Sequence, residues 1–182
     1  SVWSEITGYD MNLEYSIDYV ATGNNIYISP TGNDLTGDGS LENRYQTVKK
    51  ALEEANDEDI IVCGDGTYIE SEQVTGINKN LTIRSENNSW DKVIIESSYD
   101  ISGNALWEYT GYGDKRLVLI DLTIKTTGQS YIINPSNNTI DIIRCFLYST
   151  NINGIAIRAL SSPYYRLYKS TFRNFGGFVL QN

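Results

Sequence analysis

The chain reads as an all-β protein: a parallel β-helix, or solenoid, of short stacked strands, closed by a short amino-terminal capping helix. Three observations predict this. First, Asp121-Leu122-Thr123-Ile124, Arg144-Cys145-Phe146-Leu147 and Lys169-Ser170-Thr171-Phe172 recur at separations of 23 and then 25 residues, and periods in this range mark stacked repeat units. Second, each unit alternates. Ile120, Leu122 and Ile124 share one side, followed by Ile143, Cys145 and Leu147, then Tyr168, Ser170 and Phe172, the pattern of a strand with one buried face. Strands stacked about 4.8 Å apart would pile such residues into internal columns. Third, a short amphipathic helix precedes the strands, where a lid would sit.

The elements follow in order. Residues 1–25 form an amino-terminal extension. Within it Met11-Asn12-Leu13-Glu14-Tyr15-Ser16-Ile17-Asp18-Tyr19 alternates apolar and polar without a slip, a strand that belongs to no coil. Residues 26–182 form the β-helix domain. Tyr27 and Ile28 open a strand that Pro30 ends, and residues 33–40 are loop chemistry, with Gly and Asn/Asp at each bend. Val48, Ala51, Leu52 and Ala55 then share one helical face, opposite Lys49, Lys50, Glu53 and Glu54. This predicts a capping helix over about 47–56, whose apolar face covers the first coil. Strands follow at Ile60-Ile61-Val62-Cys63, at Thr67-Tyr68-Ile69 after the Gly64-Asp65-Gly66 turn, and at Leu81-Thr82-Ile83. Trp107-Glu108-Tyr109-Thr110-Gly111-Tyr112-Gly113-Asp114 breaks the rhythm and reads as a protruding loop. Later turns fall at Thr127-Gly128-Gln129, residues 134–138, Asn151-Ile152-Asn153-Gly154 and Ser161-Ser162-Pro163.

Residues 26 to 83, with this strand, Asp/Gly loop, helix and Gly-Asp-Gly turn in this order, resemble the amino-terminal cap and first coils of right-handed parallel β-helix proteins of the pectin-lyase-like superfamily. Two positions depart from the pattern: Arg44 stands where a Pro is usual, and Glu58 where a Gly is usual. The match covers about a third of the chain well and the remainder by periodicity only. Many relatives of this fold cleave acidic polysaccharides by β-elimination, which takes an Arg or Lys base and calcium held by several carboxylates. Others hydrolyse them with paired Asp residues on neighbouring coils.

Composition narrows the classes. A net charge of −9 and a pI near 4.5 argue against nucleic acid as a partner, and no apolar run is long enough to insert into a membrane. The chain begins at Ser1 without Met, consistent with an exported or trimmed protein. Cys63 and Cys145 lie in apolar strands, where buried free thiols are expected over a disulfide. Three sequons, at Asn80, Asn87 and Asn137, are candidate glycosylation sites.

The candidate chemistry is thin. The column Asp121, Arg144, Lys169 with nearby Asp141 is the nearest thing to a lyase site, and it equally reads as a ladder of alternating surface charge. There is no His and no Asp pair in the later coils. No cofactor is expected. Calcium stays open at a loose oxygen cage of Asn33, Asp34 and Asp38, residues that Asx-turns also explain; EF-hand spacing fails because Tyr45 stands at its last position. Trp107, Tyr109 and Tyr112 are candidate sugar-stacking aromatics, or else fold back onto the coils. The leading expectation is an extracellular or cell-surface structural and adhesive module. It would assemble head-to-tail through Met11, Leu13, Tyr15, Ile17 and Tyr19 of one copy and the last coil, Phe178 and Leu180, of the next. The alternatives are a polysaccharide lyase or a carbohydrate-binding module of the viral tail-spike type, and packing of the first twenty residues on their own coils.

Overall fold

The computed structural model describes Tyr19 and residues 21–97, 105–109, 115–127, 131–136, 138–150, 155–158, 165–173 and 177–179. A strand β1 (Asn25–Ile28) and a helix α1 (Val48–Glu54) precede the coils. The coils then follow as triplets. The first is β2 (Ile60–Cys63), β3 (Gly66–Glu70) and β4 (Val74–Ile77). The second is β5 (Leu81–Ser85), β6 (Val93–Ser97) and β7 (Ala105–Tyr109). The third is β8 (Arg116–Ile120), β9 (Thr123–Thr126) and β10 (Tyr131–Asn134). Then come β11 (Thr139–Ile143), β12 (Phe146–Ser149) and β13 (Ile155–Arg158), and finally β14 (Tyr165–Tyr168), β15 (Thr171–Arg173) and β16 (Gly177–Val179). Like strands of successive triplets pair in parallel. The first sheet runs β1-β2-β5-β8-β11-β14, the second β3-β6-β9-β12-β15 and the third β4-β7-β10-β13-β16. This is a parallel β-helix, as the periodicity predicts.

The core is a set of stacked columns. Ile61, Ile83, Leu119 and Ile142 are in register in the first sheet. Tyr68, Ile95, Ile124 and Leu147 are in register in the second, and Trp107, Ile133 and Ile157 in the third. All are buried. A polar column, Glu70, Ser97, Thr126 and Ser149, runs along the inside of the second sheet and is buried too.

Helix α1 closes the first coil as expected: Val48, Ala51, Leu52 and Ala55 are all buried in the core cluster. Its first turn is fixed by side chains. The Thr47 hydroxyl accepts from the Lys50 amide at 3.0 Å, and the Glu70 carboxylate accepts from the Val48 and Lys49 amides at 2.8 and 3.1 Å. The two departures from the family pattern also have physical accounts. Arg44 forks onto Glu86 at 2.7 and 3.1 Å and lies over Tyr27, tying the cap loop to the second coil. Glu58 has φ 72°, a conformation that glycine adopts without strain.

Two expectations are corrected. The alternation through Ile120, Leu122 and Ile124 is not one strand. Asp121, Arg144 and Lys169 stand at corners with φ 56°, 50° and 47°, so β8 and β9 belong to different sheets, as do β11 and β12, and β14 and β15. The left-handed residue resets the alternation, which leaves Ile120, Ile143 and Tyr168 outside while Leu122, Ile124, Cys145 and Leu147 are inside. Nor is Trp107 to Tyr109 a protruding loop: both aromatics are in β7, 1% exposed, in the core. Cys63 and Cys145 are buried and unbonded, and burial pushes both thiols up, Cys145 to about 12.

Candidate functional site

Buried in the coil, Trp107 and Tyr109 cannot stack on a sugar. Tyr112 lies outside the described residues, as do Met11, Leu13, Tyr15, Ile17 and Leu180, and for Phe178 the backbone alone is described, in β16.

The loop that suggested calcium is built from turns. Asn33 Oδ1 accepts from the Leu35 and Thr36 amides at 2.8 and 3.1 Å. Asp38 Oδ1 accepts from the Ser40 amide at 2.9 Å, a bond that holds this carboxyl below its ordinary range. Asp34 accepts from the Gln46 and Thr47 amides and from the Thr47 hydroxyl at 2.6, 3.1 and 2.7 Å, so it positions the start of α1. Among the described residues no three His, Cys, Asp or Glu side chains converge on a metal-sized site.

The charge column is also different from the expectation. Asp121 is only 2% exposed, and Arg144 of the next coil grips it with two bonds of 2.8 and 2.6 Å. Asp141, fully buried on β11, accepts from Arg116 Nε at 2.6 Å and Arg166 Nε at 2.9 Å. Both carboxylates are engaged coil to coil, which makes them staples of the fold. Of the sequons, Asn80 is held at both ends of its amide, donating to Glu58 at 2.8 Å and accepting from the Arg116 amide at 2.9 Å. Asn87 is exposed and donates to Asp65 at 3.0 Å. Asn137 lies outside the described residues.

The surface that stands out is the outer face of the second sheet. Parallel register sets two outward columns there. One is Thr67, Ile94, Thr123, Phe146 and Thr171; the other is Ile69, Glu96, Lys125, Tyr148 and Arg173. Trp90, in the turn before β6 and 48% exposed, has its ring centroid 5.7 Å from that of Phe146, which is 5.3 Å from Tyr148. The Thr123 hydroxyl donates to the Trp90 carbonyl at 2.8 Å and fixes the turn that carries the indole. Lys125 pairs with Glu96 at 2.8 Å, which raises the lysine pKa. Arg173 closes the column at the last coil, and Ile69, 53% exposed, opens it near the cap.

These residues form a strip: three aromatic rings in contact, with threonine hydroxyls and charged side chains at strand spacing. Aromatic faces offer apolar area and low entropic cost, with a polar tip on Trp and Tyr. The flanking hydroxyls and charges offer hydrogen bonds. Such a strip can hold an extended chain with apolar C–H faces and polar edges. The sequence reading missed it because Phe146 and Tyr148 sit two apart around an inward Leu147, so they looked like strand filler.

No protein-family model matches this sequence, and none of the curated proteins does. Among solved structures, an arginine-to-alanine mutant of a PL6 family alginate lyase superposes with a TM-score of 0.54 at 18% identity, over 87% of this chain. The chain spans 21% of that enzyme's length. A rhamnogalacturonan lyase superposes with a TM-score of 0.43 at 14% identity, over 83% of this chain and 50% of its own. The strand topology and the likeness to the alginate lyase show the parallel β-helix fold that the resemblance to the pectin-lyase-like proteins implied.

Proposed function

We propose that this chain is an extracellular carbohydrate-binding β-helix segment, and that an extended polysaccharide lies along the outer face of the second sheet. The observation that carries the proposal is the Trp90, Phe146 and Tyr148 cluster. Trp90 is half exposed in the turn before β6, Phe146 and Tyr148 are half-buried on the outer face of the sheet, and the cluster is bordered by hydroxyls and cations and lies outside the core. The fold likeness to an alginate lyase supports a carbohydrate-facing role. The described strip holds one carboxylate, Glu96, already paired with Lys125, so the reading is of binding rather than bond cleavage.

The test is affinity electrophoresis or calorimetry against alginate, pectin and neutral glucans. Each aromatic contact should contribute about 1 kcal/mol, so Trp90→Ala combined with Tyr148→Ala should weaken binding by tenfold or more while leaving the melting midpoint nearly unchanged. Equal binding by the double variant would remove the strip from the function. Release of unsaturated uronate, read by ultraviolet absorbance, would replace binding with lyase chemistry.

A second reading, self-association, is favoured by one observation. Leu167 occupies the inward column of the first sheet yet is 44% exposed, and among the described residues β14, β15 and β16 are each the last strand of their sheet. An unpaired strand edge is a template for further β-structure. Sedimentation at rising concentration tests it: a single monomer boundary throughout would dispose of that reading.

A further inference from the structure

Gly64-Asp65, Asp121-Leu122, Arg144-Cys145 and Lys169-Ser170 each turn the chain from the first sheet into the second with two residues. The second coil takes residues 86–92 for the same turn, between β5 and β6. The added length carries Trp90 past Thr123 of the third coil, so that its ring meets Phe146 of the fourth. A surface turn that presents a binding group needs ties to the scaffold. An indole held loosely must be immobilised each time a ligand binds, at a cost in affinity.

Within the turn, Asn88 takes φ 54°, the Ser89 amide donates to the Ser85 hydroxyl at 3.3 Å, and the Ser89 hydroxyl donates to Asp91 at 2.7 Å. Asn87 donates to Asp65 of the first coil at 3.0 Å. The strongest tie comes from the cap. Arg44 Nη1 and Nη2 donate to the two Glu86 oxygens at 2.7 and 3.1 Å, and Arg44 Nε donates to the Leu41 carbonyl at 3.1 Å. A forked guanidinium–carboxylate pair fixes orientation as well as distance. Its two side chains are only 22% and 30% exposed, which limits screening by solvent. Gly64 leaves room for the pair: a Cβ there would stand 2.9 Å from Arg44 Nη1 and 3.5 Å from Glu86 Oε2.

We infer that Arg44 is a positioning residue for the aromatic strip: through Glu86 it holds residues 86–92 so that the Trp90 ring lies against Phe146 before a ligand arrives. The purpose of this tie rests on the reading of the strip as a carbohydrate-binding surface; its geometry does not. Arg44 itself stands over Tyr27 of β1, 5.5 Å from the ring centroid, so its effect reaches the strip by way of the turn. The cap residue that departs from the family pattern, Arg where a Pro is usual, is thus the one that sets the strip.

The experiment reads Trp90 first without any ligand. With fluorotryptophan in place of tryptophan, the fluorine resonance that disappears in Trp90→Phe belongs to Trp90, and the remaining ones, among them that of buried Trp107, report the core. In Arg44→Gln the Trp90 resonance should move toward that of free fluorotryptophan while the others stay. Binding of alginate, pectin or neutral glucan, whichever the wild type retains, should weaken about threefold or more, the penalty for immobilising one further side chain. Arg44→Lys, which keeps the charge and one bond, should fall between, and Glu86→Gln should reproduce the effect from the other end. A Trp90 resonance unmoved in both Arg44→Gln and Glu86→Gln would overturn the inference and leave the strip standing. Equal binding by wild type and Trp90→Ala would instead remove the strip and with it the purpose of the tie, a failure that the resonance tells apart. In a Trp90→Ala background Arg44→Gln should weaken binding no further. An added loss there would mean that the guanidinium meets the ligand itself, which also overturns a role through Trp90.

Discussion

In the cap, Asp34, Asp59 and Glu70 direct their carboxylates at backbone amides: Gln46 and Thr47 for the first, Asn24 and Asn56 for the second, Val48 and Lys49 for the third. In the later coils, Asp121 and Asp141 face the guanidinium groups of Arg144, Arg116 and Arg166 on neighbouring coils. The difference follows from the backbone. Around α1 the chain is irregular, and its amides have no ladder to enter, so side chains must satisfy them. From β8 onward the parallel ladders take up the strand amides. Carboxylates are then left to bind charge from one coil to the next. The same residue type therefore shapes the path of the chain in one region and staples repeats in the other.

The largest effect that would break this picture belongs to the cap. Leu52 is 3% exposed against the first coil, and Leu52→Asp sets an unpaired charge in that contact, at a cost of about 4 kcal/mol or more. Urea melts measure it. A wild-type midpoint would mean that α1 is not the lid.

Next is the staple at Asp141. Asp141→Ala leaves Arg116, 14% exposed at its side chain, without its anion. Breaking such a buried pair costs about 3 kcal/mol. The loss should be greater than for removal of an exposed pair such as Lys50–Glu54, 29% and 48% exposed, which solvent screens and which should cost little. Equal losses would show that the buried carboxylate does no more than a surface one.

The two regions also differed in how much could be read from the sequence. The cap was legible because its signals are local: the helical spacing of Val48, Ala51, Leu52 and Ala55, the Pro30 stop and the Gly64-Asp65-Gly66 turn each act within a few residues. The coil period was legible from Asp121, Arg144 and Lys169, but their conformation was not. A single left-handed residue turns a corner without Gly or Pro, and the unbroken alternation across it imitates one strand. Trp107 and Tyr109 were misplaced for a related reason, since Gly111 and Gly113 nearby signal a loop while the aromatics themselves fill the coil. The aromatic strip was hidden because Trp90 meets Phe146 only through stacking of the second sheet. That contact depends on register, which composition and spacing do not encode.

A smaller effect tests Glu70, the cap carboxylate at the head of the buried polar column. Burial raises its pKa above the ordinary carboxylate value, with nearby Asp34 adding to the shift, while the Val48 and Lys49 amides and the Lys49 charge oppose it. A folded-state pKa above the unfolded one means that the folded protein holds this proton more tightly. Its contribution is complete below the unfolded pKa and is lost as pH rises through the folded value. Glu70→Gln removes the titration and one of two acceptors, costing about 1 kcal/mol. The stability advantage of wild type over the variant should therefore shrink as pH rises above the ordinary carboxylate range. An advantage that grows with pH would show the opposite shift.

The smallest effect separates geometry from charge at the corners. Lys169 has φ 47° and an exposed side chain whose ammonium lies over the Tyr168 ring, 5.2 Å from its centroid. A left-handed conformation costs a non-glycine residue about 1–2 kcal/mol, and glycine returns about 0.5–1 kcal/mol of that through its freer unfolded chain. Lys169→Gly should thus be slightly stabilising, by about 0.5 kcal/mol, after allowance for the modest cation–aromatic contact. At Arg144, with φ 50°, the same backbone relief is available, yet Arg144→Gly should be destabilising because it strips Asp121 of both guanidinium bonds. Thermal melts of the two variants give opposite signs if the corner is a backbone device on which the later coils have placed a staple. Two gains would mean that the Asp121 pair adds nothing, and two losses would mean that these corners are not strained.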